Sequence, residues 1–78
     1  MTKAEEILTA LGGAANIMDL EPCITRLRVE VSDPGRVNEE GLRQAGAVGV
    51  VRSGSVVQVV VGPEADQLAT EMSSVLRH

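Results

Sequence analysis

The stretch Arg26-Leu27-Arg28-Val29-Glu30-Val31 alternates charged and apolar side chains without a break. Because successive side chains on a β-strand point to opposite faces, Leu27, Val29 and Val31 share one face and the three charged residues share the other. This pattern predicts a half-buried strand in a sheet that has one apolar face and one solvated face.

A second pair of strands is indicated further along the chain. Two valine-rich runs, residues 47–52 and 56–61, surround Ser53-Gly54-Ser55. Runs of β-branched residues on either side of a glycine turn predict a hairpin. Before the alternating stretch we expect a short strand over residues 16–20, and we expect Pro22 to prevent a regular ladder beyond it.

Helices are predicted before the first strand pair and between the two pairs. Thr2 and Glu5 form a capping-box pair at the start of a helix over about residues 3–11. Asn38 is a favourable N-cap for a short helix over about residues 39–45. A glycine follows each of these segments, which is typical of a helix end.

A third helix is predicted to begin near Gly62-Pro63-Glu64, because proline suits the first helical turn and glutamate suits its positive end. Its buried stripe is expected to comprise Ala65, Leu68, Ala69, Met72, Val75 and Leu76. Met18 and Met72 are expected to fill gaps in the core. The element order α-β-β-α-β-β-α predicts an α+β fold, a two-layer sandwich in which helices pack on one face of a four-stranded antiparallel sheet.

The composition limits the possible functions. A chain of 78 residues suits one domain, residues 1–78, because second domains usually appear only beyond roughly 100–200 residues. The chain has no aromatic residue and a net charge of −4. Nucleic-acid binding is disfavoured, since base-stacking platforms and a basic surface are both missing. We expect no signal peptide, because no charged start is followed by an apolar stretch, and no membrane span, because no apolar run approaches ~18 residues.

The potential metal ligands and nucleophiles are few. A single cysteine excludes an internal disulfide and suits a reducing compartment. His78, the one histidine, cannot complete a Cys/His metal site with Cys23 alone. We therefore expect no metal and no other cofactor. The following carboxylates are expected to be solvated rather than catalytic: Asp19, Glu30, Glu39, Glu40, Asp66 and Glu71.

The run Cys23-Ile24-Thr25-Arg26-Leu27-Arg28 holds a thiol on a proline-preceded loop, followed by two guanidinium groups on one strand face. Nearby positive charge favours the thiolate, which is the nucleophilic form of cysteine. Guanidinium groups match phosphate through bidentate hydrogen bonds. Backbone N–H groups from Ile24 to Arg26 can form an anion-binding nest, and Thr25 can add a hydroxyl donor. The run therefore predicts a thiol beside a binding site for a doubly charged anion.

Other interpretations of these residues stay open. A free cysteine is most often buried packing, and Arg26 and Arg28 equally suit the solvated face of an amphipathic strand. Three functions fit the residues alone. The first is an enzyme component that carries a phosphoryl group on Cys23. The second is a non-catalytic module that binds an anion through its arginines. The third is a redox sensor in which Cys23 becomes oxidised to a sulfenic acid or a mixed disulfide.

The run Leu20-Glu21-Pro22-Cys23-Ile24-Thr25-Arg26-Leu27-Arg28-Val29 resembles the phosphorylation-site signature of the IIB domain of the glucose-type phosphotransferase system. The sequence departs from that family's pattern at Glu21-Pro22, where Asp-Ala is common, and at Val61, where Phe is frequent. The resemblance extends over almost the whole chain, through Leu11-Gly12-Gly13, Asn16-Ile17, Asp33-Pro34, Leu42, Gly46-Ala47, Gly49-Val50, Val57-Gln58 and Val61-Gly62-Pro63.

The resemblance implies a phosphotransferase component of sugar uptake. Such domains accept a phosphoryl group from a phosphohistidine of a IIA partner on the residue that matches Cys23. They pass it to a sugar of the glucose or N-acetylglucosamine class that is bound by a membrane IIC partner. Arg26 and Arg28 match the family's arginines, which are associated with the onward step. The expected phosphate-binding residues are Ile24, Thr25 and Gln58.

The resemblance also implies where the domain acts and which surface its donor protein contacts. The domain is expected to be a monomer in the cytoplasm that associates with the inner face of the cell membrane through IIC. The donor must bring its phosphohistidine to Cys23, so we expect a transient complex with IIA around an exposed loop. An apolar rim for this contact is expected from Ile24, Val48, Val50 and Pro22.

Overall fold

The computed structural model describes residues 1–76, so His78 lies outside the described residues. Short 3-10 turns connect several of the helices and strands. The elements in chain order are α1 (Lys3–Ala10), β1 (Ile17–Cys23), β2 (Arg26–Val31), α2 (Glu39–Gln44), β3 (Gly49–Ser53), β4 (Val56–Val60) and α3 (Ala65–Leu76). This order confirms the predicted α-β-β-α-β-β-α arrangement. Within residues 1–76, no helix has the length and apolar character needed to cross a bilayer.

The four strands form one antiparallel sheet in the order β1-β2-β4-β3. The inward side chains of the two central strands are fully buried aliphatic residues, and α1 and α3 belong to the same buried core. The opposite face carries the charged residues of β2, all of them exposed. The inward side chains of the two central strands are Leu27, Val29, Val31, Val57 and Val59. The predicted α+β sandwich with helices on one face is therefore confirmed.

The first helix begins as the sequence predicts. The Thr2 hydroxyl accepts a hydrogen bond from the Glu5 N–H, and the Glu5 carboxylate accepts one from the Thr2 N–H at 2.9 Å. The bond from the Thr2 backbone, with a smaller contribution from the Thr2 side chain, lowers the pKa of Glu5. Thr2 and Glu5 thus form a reciprocal capping box.

The prediction for β1 was wrong in its extent. The strand reaches Cys23, and Pro22 pairs in register with Leu27 of β2. Because β1 is an edge strand, a residue without an N–H can sit where the donor side faces away from the ladder. The extension matters for function, since it brings Cys23 to the end of a regular strand.

Two core predictions were also wrong. Met18 is 66% exposed, because the register of β1 shifts between Ile17 and Asp19 and turns this side chain away from the core. Val75 is 39% exposed, since it lies at the margin of the apolar stripe on α3. Met72, in contrast, is fully buried as expected.

Asn16 is a buried polar residue that joins three segments of the chain. Its Nδ2 donates to the Leu11 carbonyl at 2.7 Å and to the Asp33 carbonyl at 3.1 Å, and its Oδ1 accepts from the Asp33 N–H at 2.9 Å. A side chain at Gly12, where φ is +105°, would place its Cβ 2.6 Å from Asn16 Nδ2. The side-chain amide of Asn16 therefore holds together the end of α1, the start of β1 and the turn after β2.

We expect Asn16→Asp to destabilise the domain by at least about 2 kcal/mol, because a buried carboxylate would replace the amide donor and face two carbonyl oxygens. This is a large share of the total stability of so small a domain. Urea unfolding followed by circular dichroism measures the change. Asn38→Asp is the matched control, since its exposed Oδ1 caps α2 by accepting from the Gly41 N–H, a role that aspartate performs equally well. Equal effects of the two substitutions would contradict the role assigned to Asn16.

Candidate functional site

The tip of the β1–β2 hairpin presents the thiol. Cys23 is the last residue of β1 and pairs directly with Arg26, the first residue of β2, across the two-residue turn Ile24-Thr25. Cys23 is exposed and free. The alternative that Cys23 is buried packing is therefore wrong.

The same row of the sheet continues across all four strands. Arg26 pairs with Val60 of β4, and Val60 pairs with Gly49 of β3. Directly paired residues of antiparallel strands project to the same face. Cys23 and Arg26 therefore share the outward face, which is the face opposite the buried core.

The next outward row brings in two more of the predicted site residues. Arg28 pairs with Gln58 of β4, and Arg26 Nη1 donates to Gln58 Oε1 at 3.1 Å. Both arginines are exposed, as their alternation with Leu27 predicted. The structure thus brings Cys23, Arg26, Arg28 and Gln58 together on one end of one sheet face.

The guanidinium groups of Arg26 and Arg28 form no ion pair with a carboxylate among residues 1–76. Three ion pairs form among residues 1–76: Lys3–Glu64, Arg43–Glu39 and Arg52–Glu39. Neither Arg26 nor Arg28 takes part in any of them. Glu21 pairs with Arg28 across β1 and β2 without forming such a contact. Both cations are therefore available to a dianion on the outward face.

The turn itself has an unexpected backbone conformation. Ile24 has φ of +56°, and it is the one non-glycine residue with positive φ among residues 1–76. The Thr25 carbonyl accepts hydrogen bonds from the N–H groups of Val61 and Gly62, both at 3.0 Å. These bonds attach the hairpin tip to the segment that leads into α3. Sequence reasoning missed this conformation, since isoleucine is among the residues least suited to it.

The expected apolar rim is only partly present. Ile24 is 86% exposed and Val48 is 79% exposed, and Pro22 is also exposed. The Val48 N–H donates to the Val60 carbonyl at 2.8 Å, which holds Val48 at the Cys23 end of the sheet. Val50, in contrast, is partly buried against the core, because it lies on the inward face opposite Val59. The rim therefore consists of Ile24 and Val48, because Pro22 is exposed but pairs with the inward-facing Leu27.

Comparisons with known proteins are consistent with this geometry. A family model described as phosphotransferase system, EIIB matches residues 5–38, which include most of α1 and the whole Cys23 hairpin. The N-acetylglucosamine-specific EIIB component of the phosphotransferase system of Streptomyces coelicolor is 52% identical over 75 residues, 96% of this chain and 97% of that protein.

A crystal structure supports the fold. One domain of a phosphotransferase-system IIabc component from Clostridium difficile superimposes with a TM-score of 0.78 at 24% identity, over 94% of this chain and 77% of that one. The full-length similarity to the Streptomyces protein settles the family. The chain belongs to the EIIB family of the phosphotransferase system, whose members are phosphotransferases that carry phosphoryl groups during sugar uptake and work with IIA and IIC components.

Proposed function

We propose that Cys23 is the phosphoryl carrier of this chain, between a phosphohistidine of a IIA protein and a sugar bound by a membrane IIC protein. One observation carries the proposal. An exposed thiol lies directly opposite Arg26, on a sheet face that also holds Arg28 and Gln58. Phosphoryl transfer needs chiefly positioning and charge stabilisation, and this arrangement offers both.

In the first step the Cys23 sulfur attacks the phosphorus of the phosphohistidine. The S–P bond forms as the N–P bond breaks, and the leaving imidazole nitrogen keeps the electron pair of that bond. The proton that the thiol gives up ends on the imidazole. Ile24 and Thr25 form the turn that follows Cys23, and the reversal of φ at Ile24 is the kind of backbone change that creates an anion-binding nest. We assign the phosphate-binding role to these two residues and to Gln58.

In the second step a sugar hydroxyl attacks the phosphocysteine. The O–P bond forms as the S–P bond breaks, sulfur keeps the electron pair, and the hydroxyl proton restores the thiol. Arg26 and Arg28 would hold the non-bridging oxygens of the transferring group in a planar fork. The bond from Arg26 to Gln58 supports this role, because it holds one guanidinium against the sheet face.

We further propose N-acetylglucosamine as the sugar, with glucose as the second candidate of the same class. The observation that favours it is the N-acetylglucosamine specificity in the name of the Streptomyces relative, which is similar over nearly the whole chain. In this proposal residues 1–78 form one monomeric carrier domain. It works in the cytoplasm and meets the inner face of the membrane through IIC.

A reconstituted assay tests the sugar. The purified chain is combined with phosphorylated IIA and with membrane vesicles that contain an N-acetylglucosamine IIC but no IIB. We expect N-acetylglucosamine phosphate to form only when all three components are present. Formation without the chain, or formation of glucose phosphate in preference, would contradict the proposal.

Titration of the isotope-labelled chain with IIA tests the docking surface. We expect amide shift changes in residues 22–28 and 47–50, because Ile24 and Val48 are the exposed apolar side chains at the Cys23 end. The dissociation constant should be micromolar or weaker, since a carrier must release its partner. Changes confined to the opposite end of the sheet, around Gly54, would contradict this surface.

A further inference from the structure

The strand that ends at Cys23 lies at an edge of the sheet and pairs with β2 alone. Every second residue of an antiparallel strand turns its N–H and C=O towards the neighbouring strand. Pro22, which has no N–H, holds a position where these groups turn away, so Leu20, two residues earlier, turns its own away as well. Outside the helices and the sheet ladder, no backbone hydrogen bond among residues 1–76 uses Leu20 or Pro22. The outer side of β1 therefore offers free backbone groups.

A groove runs along this edge between β1 and α3, and we call it the edge groove. The inward side chains of two β1 residues line it on one side, and α3 lines it on the other. The lining residues include Leu20, Pro22, Asp66, Ala69, Thr70 and Ser73. Its volume of 680 Å³ is far above the ~30 Å³ of a water molecule, so the side chains of an added segment have room to enter. Because Pro22 directly precedes Cys23, one end of the groove lies beside the thiol.

The other edge of the sheet, on β3, is not open in this way. Arg52 of β3 donates to Glu39 Oε1 at 3.3 Å and also to the Pro34 carbonyl. The segment that leads into α2 therefore lies against β3, whereas α3 leaves the edge of β1 uncovered. An uncovered edge is a template for the addition of another strand.

The charges on β1 select the kind of strand that can be added. Asp19 and Glu21 are exposed on its outward face, and Asp66 lines the edge groove. None of the three takes part in an ion pair among residues 1–76. A second copy of the chain is a poor partner, because two paired β1 strands would oppose their carboxylates, and like charges on paired strands are destabilising. The edge favours a basic strand from another protein.

Membrane proteins carry an excess of lysine and arginine in their cytoplasmic loops. We propose that an extended, basic cytoplasmic loop of the IIC protein adds to the sheet as a fifth strand along β1. Its backbone bonds to the free groups of Leu20, and its basic side chains lie beside Asp19 and Glu21. This inference rests on the proposed role of Cys23 as the phosphoryl carrier.

Strand addition fixes the position of the acceptor protein relative to the thiol. Cys23 is the last residue of β1, so a strand paired along β1 lies directly beside it. The sugar is held by the same IIC protein, and a fixed backbone register places the sugar hydroxyl reproducibly against the phosphocysteine. The IIA donor is assigned to the hairpin tip and to Val48, next to β3, so the two partners contact different surfaces.

The test combines the purified chain with phosphorylated IIA and with membrane vesicles that contain IIC without IIB. Leu20→Pro removes the outward N–H but keeps the β1–β2 ladder, as Pro22 already does. Leu20→Ala keeps the N–H and controls for the loss of a partly buried side chain. Asp19→Lys reverses a charge at the edge, and Glu40→Lys makes the same change on the exposed side of α2. Circular dichroism checks that each variant is folded.

Leu20→Pro should raise the concentration of chain at half-maximal sugar phosphorylation roughly tenfold, because a backbone hydrogen bond of the added strand is lost. Asp19→Lys should raise it several-fold at low salt and less at high salt, since salt screens exposed charges. Leu20→Ala and Glu40→Lys should leave it nearly unchanged. All four variants should accept a phosphoryl group from IIA at the unchanged rate.

Hydrogen exchange tests the strand addition without phosphoryl transfer. In the unchanged chain the Leu20 N–H should exchange rapidly, because it has no partner, and it should become protected when vesicles with IIC are added. Vesicles without IIC, and IIA alone, should give no protection. This measurement decides the question if Leu20→Pro does not fold.

Equal effects of Leu20→Pro and Leu20→Ala, or no protection of the Leu20 N–H by IIC, would overturn the inference. Slower acceptance from IIA by a folded Leu20→Pro variant would assign the edge to the donor and overturn it as well. Protection of the Leu20 N–H by IIC, in a chain whose Cys23 accepts no phosphoryl group, would support the edge contact and refute the role of Cys23. The two failures are therefore distinguishable.

Discussion

Replacement of Cys23 by serine should abolish phosphoryl acceptance from IIA while the domain stays folded. Cys23 is exposed at the end of β1, and substitutions on the surface usually change stability by less than about 0.5 kcal/mol. A serine hydroxyl is a weak nucleophile unless an adjacent base activates it. The neighbouring side chains Arg26, Arg28 and Gln58 are not bases at neutral pH, so the serine variant lacks that activation. Intact-mass measurement after incubation with phosphorylated IIA should show no added phosphoryl group.

The other hairpin provides a matched control for thiol reactivity. Ser53 occupies in the β3–β4 hairpin the position that Cys23 occupies in the β1–β2 hairpin. The double variant Cys23→Ser, Ser53→Cys keeps one thiol at an equivalent turn but at the opposite end of the sheet. We expect it to stay unphosphorylated. Phosphorylation of either variant would mean that the environment of Cys23 is not what makes the chain a carrier.

Arg26→Lys and Arg28→Lys should separate the two half-reactions. Each variant should still accept a phosphoryl group on Cys23, because the IIA protein brings its own positioning groups to the encounter. Transfer to the sugar should fall by roughly 10²–10³-fold, the usual effect of losing one group that stabilises charge in the transition state. Lysine keeps the charge but not the planar fork that holds two oxygens, so the substitution tests geometry rather than charge.

Both half-reactions should be measured on the same preparations. Arg43→Lys is the control, because Arg43 is exposed on α2 and lies outside the site. It should change neither step. If both site variants phosphorylate sugar as well as the control does, Arg26 and Arg28 are only the solvated face of a strand.

Much of the fold could be predicted because the residue patterns that favour each strand and helix agree with the elements that the structure forms. The alternation in β2 gave the correct buried and exposed faces, and the Thr2–Glu5 capping box forms as expected. The extent of β1 could not be predicted in this way. Pro22 argues against a strand unless the strand is known to lie at an edge, and edge position depends on the order of strands in the sheet.

The placement of the proposed site residues on one sheet face was predictable, but the detailed shape of that region was not. The alternation around Leu27 placed both guanidinium groups on one face, but the exposure of Cys23 depended on where β1 ends. Met18 was misplaced because a register shift leaves no clear mark in a single sequence. The left-handed Ile24 was missed because its residue type argues against that conformation.

The most direct test of the central claim locates the phosphoryl group. After reaction with phosphorylated IIA, trypsin should release residues 4–26 as one peptide, which contains Cys23 and the hydroxyl groups of Thr9 and Thr25. Fragmentation of this peptide under conditions that preserve the S–P bond distinguishes the three positions. We predict a single phosphoryl group on the sulfur of Cys23. A phosphoryl group on Thr25, on Thr9 or in any other peptide, with Cys23 unmodified, would contradict the claim.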